Sequence, residues 1–151
     1  MTVLGIDPGT ACGWALVTDG RRVASGVWDL KPRRHEGGGM RFLRARSMLR
    51  QIVGSYPVDA VAYEEVRRHM GVDAAHVYGG IVAVVAAELE ERSIPYRGIP
   101  FATAKRCATG KGNADKAAMV AAFVAREGVE PADDNEADAL FIALALLAEL
   151  T

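Results

Sequence analysis
The chain has 151 residues, a formal net charge of −1, 50% hydrophobic and 25% charged side chains, and two cysteines. These figures suit a single globular domain over residues 1–151 that buries about 70% of its unfolded surface without disulfide or structural metal. Cys12 and Cys107 stand alone with no CxxC partner, which suits a reducing compartment rather than a disulfide framework. With no apolar run of ~18 residues and no signal-peptide pattern, the expected location is a reducing cytoplasm, with no membrane partner.

In chain order, residues 2–6 read as a buried strand that ends at Asp7, and Gly9 and Gly13 bracket a turn. Residues 14–17 and 23–28 read as two further strands, joined at Asp19-Gly20, a strong hairpin signal. Residues 30–39, with Pro32 and three successive glycines, form a loop. A helix over 40–53 carries Met40, Leu43, Met48, Leu49, Ile52 and Val53 as its apolar stripe. Strand 58–64, polar segment 65–72, helix 73–92 and strand 94–99 follow. A short helix spans 101–108, and Asn113 is the expected N-cap of a helix over 114–126. Asp133, three residues before Glu136, resembles a capping box for helix 134–150. The order βββαβαβααα predicts an α/β fold: a mixed five-stranded sheet, three antiparallel strands plus parallel βαβ strands, flanked by helices.

Charge is unevenly spread. Residues 21–50 hold nine Lys/Arg, and Lys105, Arg106, Lys111 and Lys116 form a second basic set. Residues 127–138 hold six acids and no Lys or Arg. Basic surfaces around an acidic metal pocket, gripping a polyanion, would give such a split, as would ordinary solvated helix faces.

Four residues carry the chemistry: Asp7 and Glu64 at strand ends, and Asn135 and Asp138 one turn apart on a helix. Oxygen donors brought together from distant segments suit a hard cation such as Mg²⁺, which binds phosphate well. Asp7 as a plain turn cap is the rival reading. Glu64 and Glu65 face opposite sides of their strand, so only one joins a pocket, and alternation alone does not choose. Asp138 sits on an otherwise apolar helix where Asp is disfavoured, so a functional role explains it better.

Gly5-Ile6-Asp7-Pro8-Gly9-Thr10, Tyr63-Glu64-Glu65-Val66, the basic run from Lys105 through Gly110 and Gly112 to Lys116, and Ala137-Asp138-Ala139-Leu140 resemble, in order, the motifs of the RuvC family of Holliday junction resolvases. The likeness spans nearly the whole chain. It implies an RNase H-like fold and a structure-selective endodeoxyribonuclease that leaves 5′-phosphate and 3′-hydroxyl ends. It also implies two Mg²⁺ ions, with Mn²⁺ able to substitute: Asp7 bridges them, Glu64 and Asp138 hold one each, and position 135 completes the site. Many members carry Asp or His there; Asn135 offers an oxygen without charge, and Asp134 is the alternative. The resemblance makes Lys116 catalytic and offers Lys105, Arg106, Lys111 and Asn113 to the DNA. The segment Arg67-Arg68-His69-Met70 matches the loop that reaches the branch point, without the aromatic often found there.

The implied partners are branched DNA, four-way junctions foremost, and a second copy of the chain. The apolar face of helix 73–92 (Val77, Ile81, Val84, Val85, Leu89) serves either that dimer or the core. Two other readings stay open at this level: a nucleotide-binding domain of the actin-like or sugar-kinase type, prompted by the Asp7-Pro8-Gly9-Thr10 turn, and a catalytically inactive branched-DNA-binding module.

Overall fold
The structure, a computed structural model, describes residues 1–68 and 71–151. Five strands, β1 (Thr2–Asp7), β2 (Ala11–Thr18), β3 (Arg21–Asp29), β4 (Ala60–Glu65) and β5 (Tyr96–Pro100), form one mixed sheet in the order β3-β2-β1-β4-β5. The first three are antiparallel neighbours, while β4 and β5 run parallel to β1. The β2–β3 hairpin closes at Asp19 (φ 49°) and Gly20 (φ 81°), the two left-handed residues that an Asp-Gly turn supplies. Helices α1 (Met40–Ser55) and α2 (Val72–Glu91) cover one face of the sheet. On the other lies α5 (Asp134–Leu150), flanked by α3 (Phe101–Thr109) and α4 (Lys116–Glu127).

Strand alternation divides the core in two. Leu4, Ile6, Leu16 and Val61 point toward α1 and α2, whereas Val3, Ala15, Ala60 and Ala62 point toward α5. The sheet residues facing α5 include Gly5, Gly13, Ala15, Ala60 and Ala62, and there the helix comes unusually near. A Cβ on Gly5 would stand 2.2 Å from the Ala139 carbonyl oxygen, and one on Gly13 only 1.9 Å from that of Asn135. Gly13 pairs with Asp7 across the β1–β2 ladder. It is therefore a strand residue rather than the far end of a turn, and its missing side chain lets the start of α5 rest on the carboxyl end of β1.

Other local expectations shift as well. Asp115, not Asn113, caps α4, accepting from the Ala118 amide at 2.8 Å, so Lys116 is the first helical residue. Asp is as good an N-cap as Asn, and the cap falls where the chain stops being extended. Leu43 of α1 faces solvent while Ala45 joins Leu49 and Ile52 in the core. On α2, Ile81, Val85 and Leu89 are core residues; Val77 and Val84 are only half-buried. This helix is long and apolar enough by composition to cross a membrane. It instead packs on α1 and the sheet, with buried Glu88 joined to Arg50 at 2.7 Å and Arg92 at 3.0 Å.

Gly13→Ala would force α5 off the sheet edge, and overpacking of this kind costs about 1–3 kcal/mol or more. The expected outcome is a lower urea midpoint with an unchanged m-value. A variant as stable as the parent would show that the helix approach is not tight.

Candidate metal and nucleic-acid site
Asp7 ends β1 on the same face as Val3 and Gly5, and Glu64 follows Ala60 and Ala62 on that face of β4. The parity that puts two alanines under α5 therefore selects Glu64 over Glu65, which lies on the opposite side with Arg67 3.9 Å away. Asp138, one turn into α5, and Asn135 face the same point from above. Together these four line a cavity of about 210 Å³, joined by Asp134, Lys105 and Lys116. Asp7 and Glu64 are only 8% and 9% exposed.

The start of α5 is held firmly. Asp133 caps it, one oxygen accepting from the Glu136 amide at 3.0 Å and the other from Asn135 Nδ2 at 3.1 Å. Glu136, itself buried, reaches back to the Ala132 amide instead of the cap residue's own, and accepts from Ser25 Oγ of β3 at 2.6 Å. The expected capping box is present in this widened form. From the opposite face of the sheet, Tyr78 of α2 donates to the Glu64 carbonyl at 2.7 Å and accepts from the Val66 amide at 3.1 Å, bracing the end of β4.

Crowding of acids sets the electrostatics. Burial, followed by a hydrogen bond with Glu64 and the charges of Glu64, Asp138 and Asp134, holds the Asp7 carboxyl well above the usual range. Burial and the charges of Glu64 and Asp134 push Asp138 up to about 7, against a smaller opposing pull from Lys105 and Lys116. Two carboxyls that resist ionisation beside a third are a sink for positive charge. The lysines fill that need only in part. Lys116 Nζ is 3.8 Å from Asp134, with its side chain 85% exposed, and Lys105 Nζ lies over the Phe101 ring at 3.6 Å.

The donor set fits a hard divalent cation. Its carboxylates and the Asn135 amide supply oxygen donors, and the nearby Cys12 thiol, buried and pushed up to about 12, stays protonated. Among the described residues, no three Asp, Glu, His or Cys side chains already stand as a full ligand set for one ion. Mg²⁺ asks for less, because it keeps several waters and takes one or two carboxylates plus substrate phosphate.

Arg106, Lys111, Asn113, Arg67 and Arg68 do not line this cavity. All five are exposed, and the Arg106 guanidinium lies close over Gly112. His69 falls outside the described residues. Phe101 and Met119 do line the cavity and were not foreseen. An aromatic four residues before Lys105 on one helix was the available signal for Phe101. A larger groove, about 760 Å³, is bounded by loop 8–10 and the first turns of α1 and α2, with Asp73 as the one carboxylate among its described lining residues. It lacks the mutual perturbation of acids that marks the smaller pocket.

With this geometry in view, comparisons with known proteins are decisive. The crossover junction endodeoxyribonuclease RuvC family model matches residues 3–146. The chain belongs to that family. A RuvC from Sorangium cellulosum is 35% identical over 95% of this chain and 83% of its own length. Among solved structures, Thermus thermophilus RuvC in complex with a Holliday junction substrate superposes with a TM-score of 0.84 at 26% identity, over 96% of this chain and 92% of the other. The yeast mitochondrial Holliday junction resolvase, at 13% identity and a TM-score of 0.64 over 95% of this chain and 76% of its own, shares the fold. The RNase H-like α/β architecture expected from the motifs is the one observed, and the kinase-like alternative is set aside.

The raised Asp138 pKa has a signed consequence. Its protonated form is favoured in the folded state, so this contribution to stability is greatest at low pH and is lost as pH rises from about 4, the unfolded value, to about 7. Asp138→Asn should therefore raise the melting temperature in chelator, more at pH 8 than at pH 5. It should also shrink the rise that Mg²⁺ gives the parent protein at pH 8. Equal effects at both pH values in calorimetry would contradict the buried, repelled carboxylate.

Proposed function
We propose that residues 1–151 form one nuclease domain that nicks branched DNA, four-way junctions foremost, with two divalent ions held by Asp7, Glu64, Asp138 and Asn135. The observation that carries this reading is the convergence of those four side chains, from two strand ends and one helix, on a single acidic cavity. Mg²⁺ would be the physiological ion, with Mn²⁺ as a substitute. When bound, the ions lower the pKa of the attacking water and stabilise charge on the leaving 3′ oxygen.

The chain's own residues do the rest. Asp7, Glu64, Asp138 and Asn135 would hold the ions through their side-chain oxygens. Lys116 and Lys105, at the cavity's rim, meet the scissile phosphate and offset its charge. Lys105, Arg106, Lys111, Asn113, Arg67 and Arg68 hold the backbone, and the sequence motif adds His69, which lies outside the described residues; such contacts make affinity fall steeply with salt. In-line attack leaves a 5′-phosphate and a 3′-hydroxyl. Both cysteines are free, which suits a reducing cytoplasm.

Symmetric cutting of two strands calls for a C₂ homodimer. The face of α2 suited to it is not the one that packs on the core. Gly79, Ala83 and Ala87 are exposed at four-residue intervals on the outward side, and a Cβ on Gly79 would meet nothing within 4 Å. A smooth apolar strip of this kind lets two helices lie close. The inactive-module reading has no support in the arrangement, since Asn135 stands with the carboxylates.

Asp7→Asn should still bind a four-way junction in a gel-shift assay while its nicking rate drops at least about 10²-fold, as expected for loss of a principal electrostatic group. Cleavage at the parental rate would sink the proposed site. Ala83→Arg should convert a species of twice the 16.1 kDa chain mass into a monomer by light scattering and uncouple the two nicks. An unchanged dimer would place the interface elsewhere.

A further inference from the structure
We propose that Asp133 is a positioning residue that turns the Asn135 amide so that its oxygen, not its nitrogen, faces the acidic cavity. The inference rests on Asn135 completing the cation site described above.

An amide side chain has two chemically opposed ends of nearly equal shape. Oδ1 accepts hydrogen bonds and can ligate a hard cation; Nδ2 only donates and would repel one. Which end faces a pocket is decided by its hydrogen-bond partners. Here Nδ2 donates to Asp133 Oδ2 at 3.1 Å, an acceptor that can take nothing from Oδ1. The amide nitrogen is thereby drawn away from the cavity that Asn135 lines, and the oxygen is left for it.

Asp133 cannot drift to follow a rotating amide, because its other oxygen is fixed as the cap of α5 by the Glu136 amide at 3.0 Å. Glu136 in turn is tied to Ser25 of β3 at 2.6 Å and to the Ala132 amide. The sheet therefore fixes Glu136, the helix start fixes Asp133, and Asp133 fixes Asn135. Capping alone does not account for this. A cap uses one oxygen, and Ser, Thr or Asn would serve as well. The second oxygen, spent on Asn135, is what the positioning role explains. A carboxylate behind a neutral ligand also makes that ligand a better donor, which offsets the charge Asn135 lacks.

The test uses the full-length protein without DNA. Mn²⁺ affinity is measured by calorimetry at fixed ionic strength for Asp133→Ser, Asn135→Ala and the double variant, with melting temperatures taken in chelator. Asp133→Ser keeps a good cap, so its melting temperature in chelator should match the parent's. Its Mn²⁺ affinity should fall about tenfold or more, the usual cost of losing an outer-shell partner. Asn135→Ala should weaken binding similarly, and adding Asp133→Ser to it should cost nothing further.

Parental affinity in Asp133→Ser would overturn the proposal. So would an equal loss in the Asn135→Ala background, since that would show a bulk charge effect. Parental affinity in Asn135→Ala, while Asp7→Asn binds poorly, would remove Asn135 from the site and overturn the proposal at its root. Should Asp133→Ser melt early, Asp133→Asn, which caps but offers Asn135 no carboxylate, gives the same comparison.

Discussion
The closeness of α5 to the sheet is the constraint on which the rest depends. At Gly5 and Gly13 no side chain fits between strand and helix, so backbone meets backbone. That contact brings the first turns of α5 down onto the carboxyl ends of β1 and β4, where Asp7 and Glu64 emerge. A helix held at the ordinary ~10 Å spacing by larger side chains would leave Asp138 and Asn135 out of reach of the strand carboxylates. Alanines on both surfaces, Ala15, Ala60 and Ala62 of the sheet and Ala139 and Ala143 of α5, belong to the same close approach.

Bringing those acids together works against folding. Asp7 and Asp138 are pushed toward their protonated forms by burial and by their neighbours, and only Lys105 and Lys116 at the margin oppose this for Asp138. The fold tolerates the strain because the elements bearing the acids are braced from outside the cavity: Tyr78 at the end of β4, and Ser25, Glu136 and Asp133 at the start of α5. Stability is conceded at the site and recovered around it, as is common where charge must be held ready for a ligand. The same repulsion favours positive charge in the cavity, which accords with membership of a family of metal-dependent nucleases.

Two sheet faces have separate duties. The α5 side carries the acidic cavity and the larger set of buried apolar residues, while α1 and α2 on the other side bury a second core and present the outward strip of α2. Tyr78 crosses between them, its hydroxyl on the Glu64 carbonyl and its helix the one proposed to meet a second copy. Asymmetry of this sort lets one surface be devoted to assembly without crowding the cavity.

Much was legible in the chain alone. Strand-like runs ending in Asp7 and Glu64, the Asp-Gly hairpin, the Asp133 cap and the amphipathic helices gave element order and sheet type, because those signals are local: periodicity, turn chemistry and capping need only near neighbours. The four motifs in sequence named the family for the same reason, as did the acids and lysines within them. What only the tertiary structure decided depends on contacts between distant segments. Gly13 reads as a turn residue until the helix 120 positions later is seen resting on it. The choice of Glu64 over Glu65 follows from which strand face α5 covers, and the division of α2 into core and outward faces follows from where the sheet lies. The tie from Ser25 of β3 to Glu136 at the start of α5 is likewise visible only in the fold. Sequence carries the period of a side chain along its element; only packing supplies the direction in which that period points.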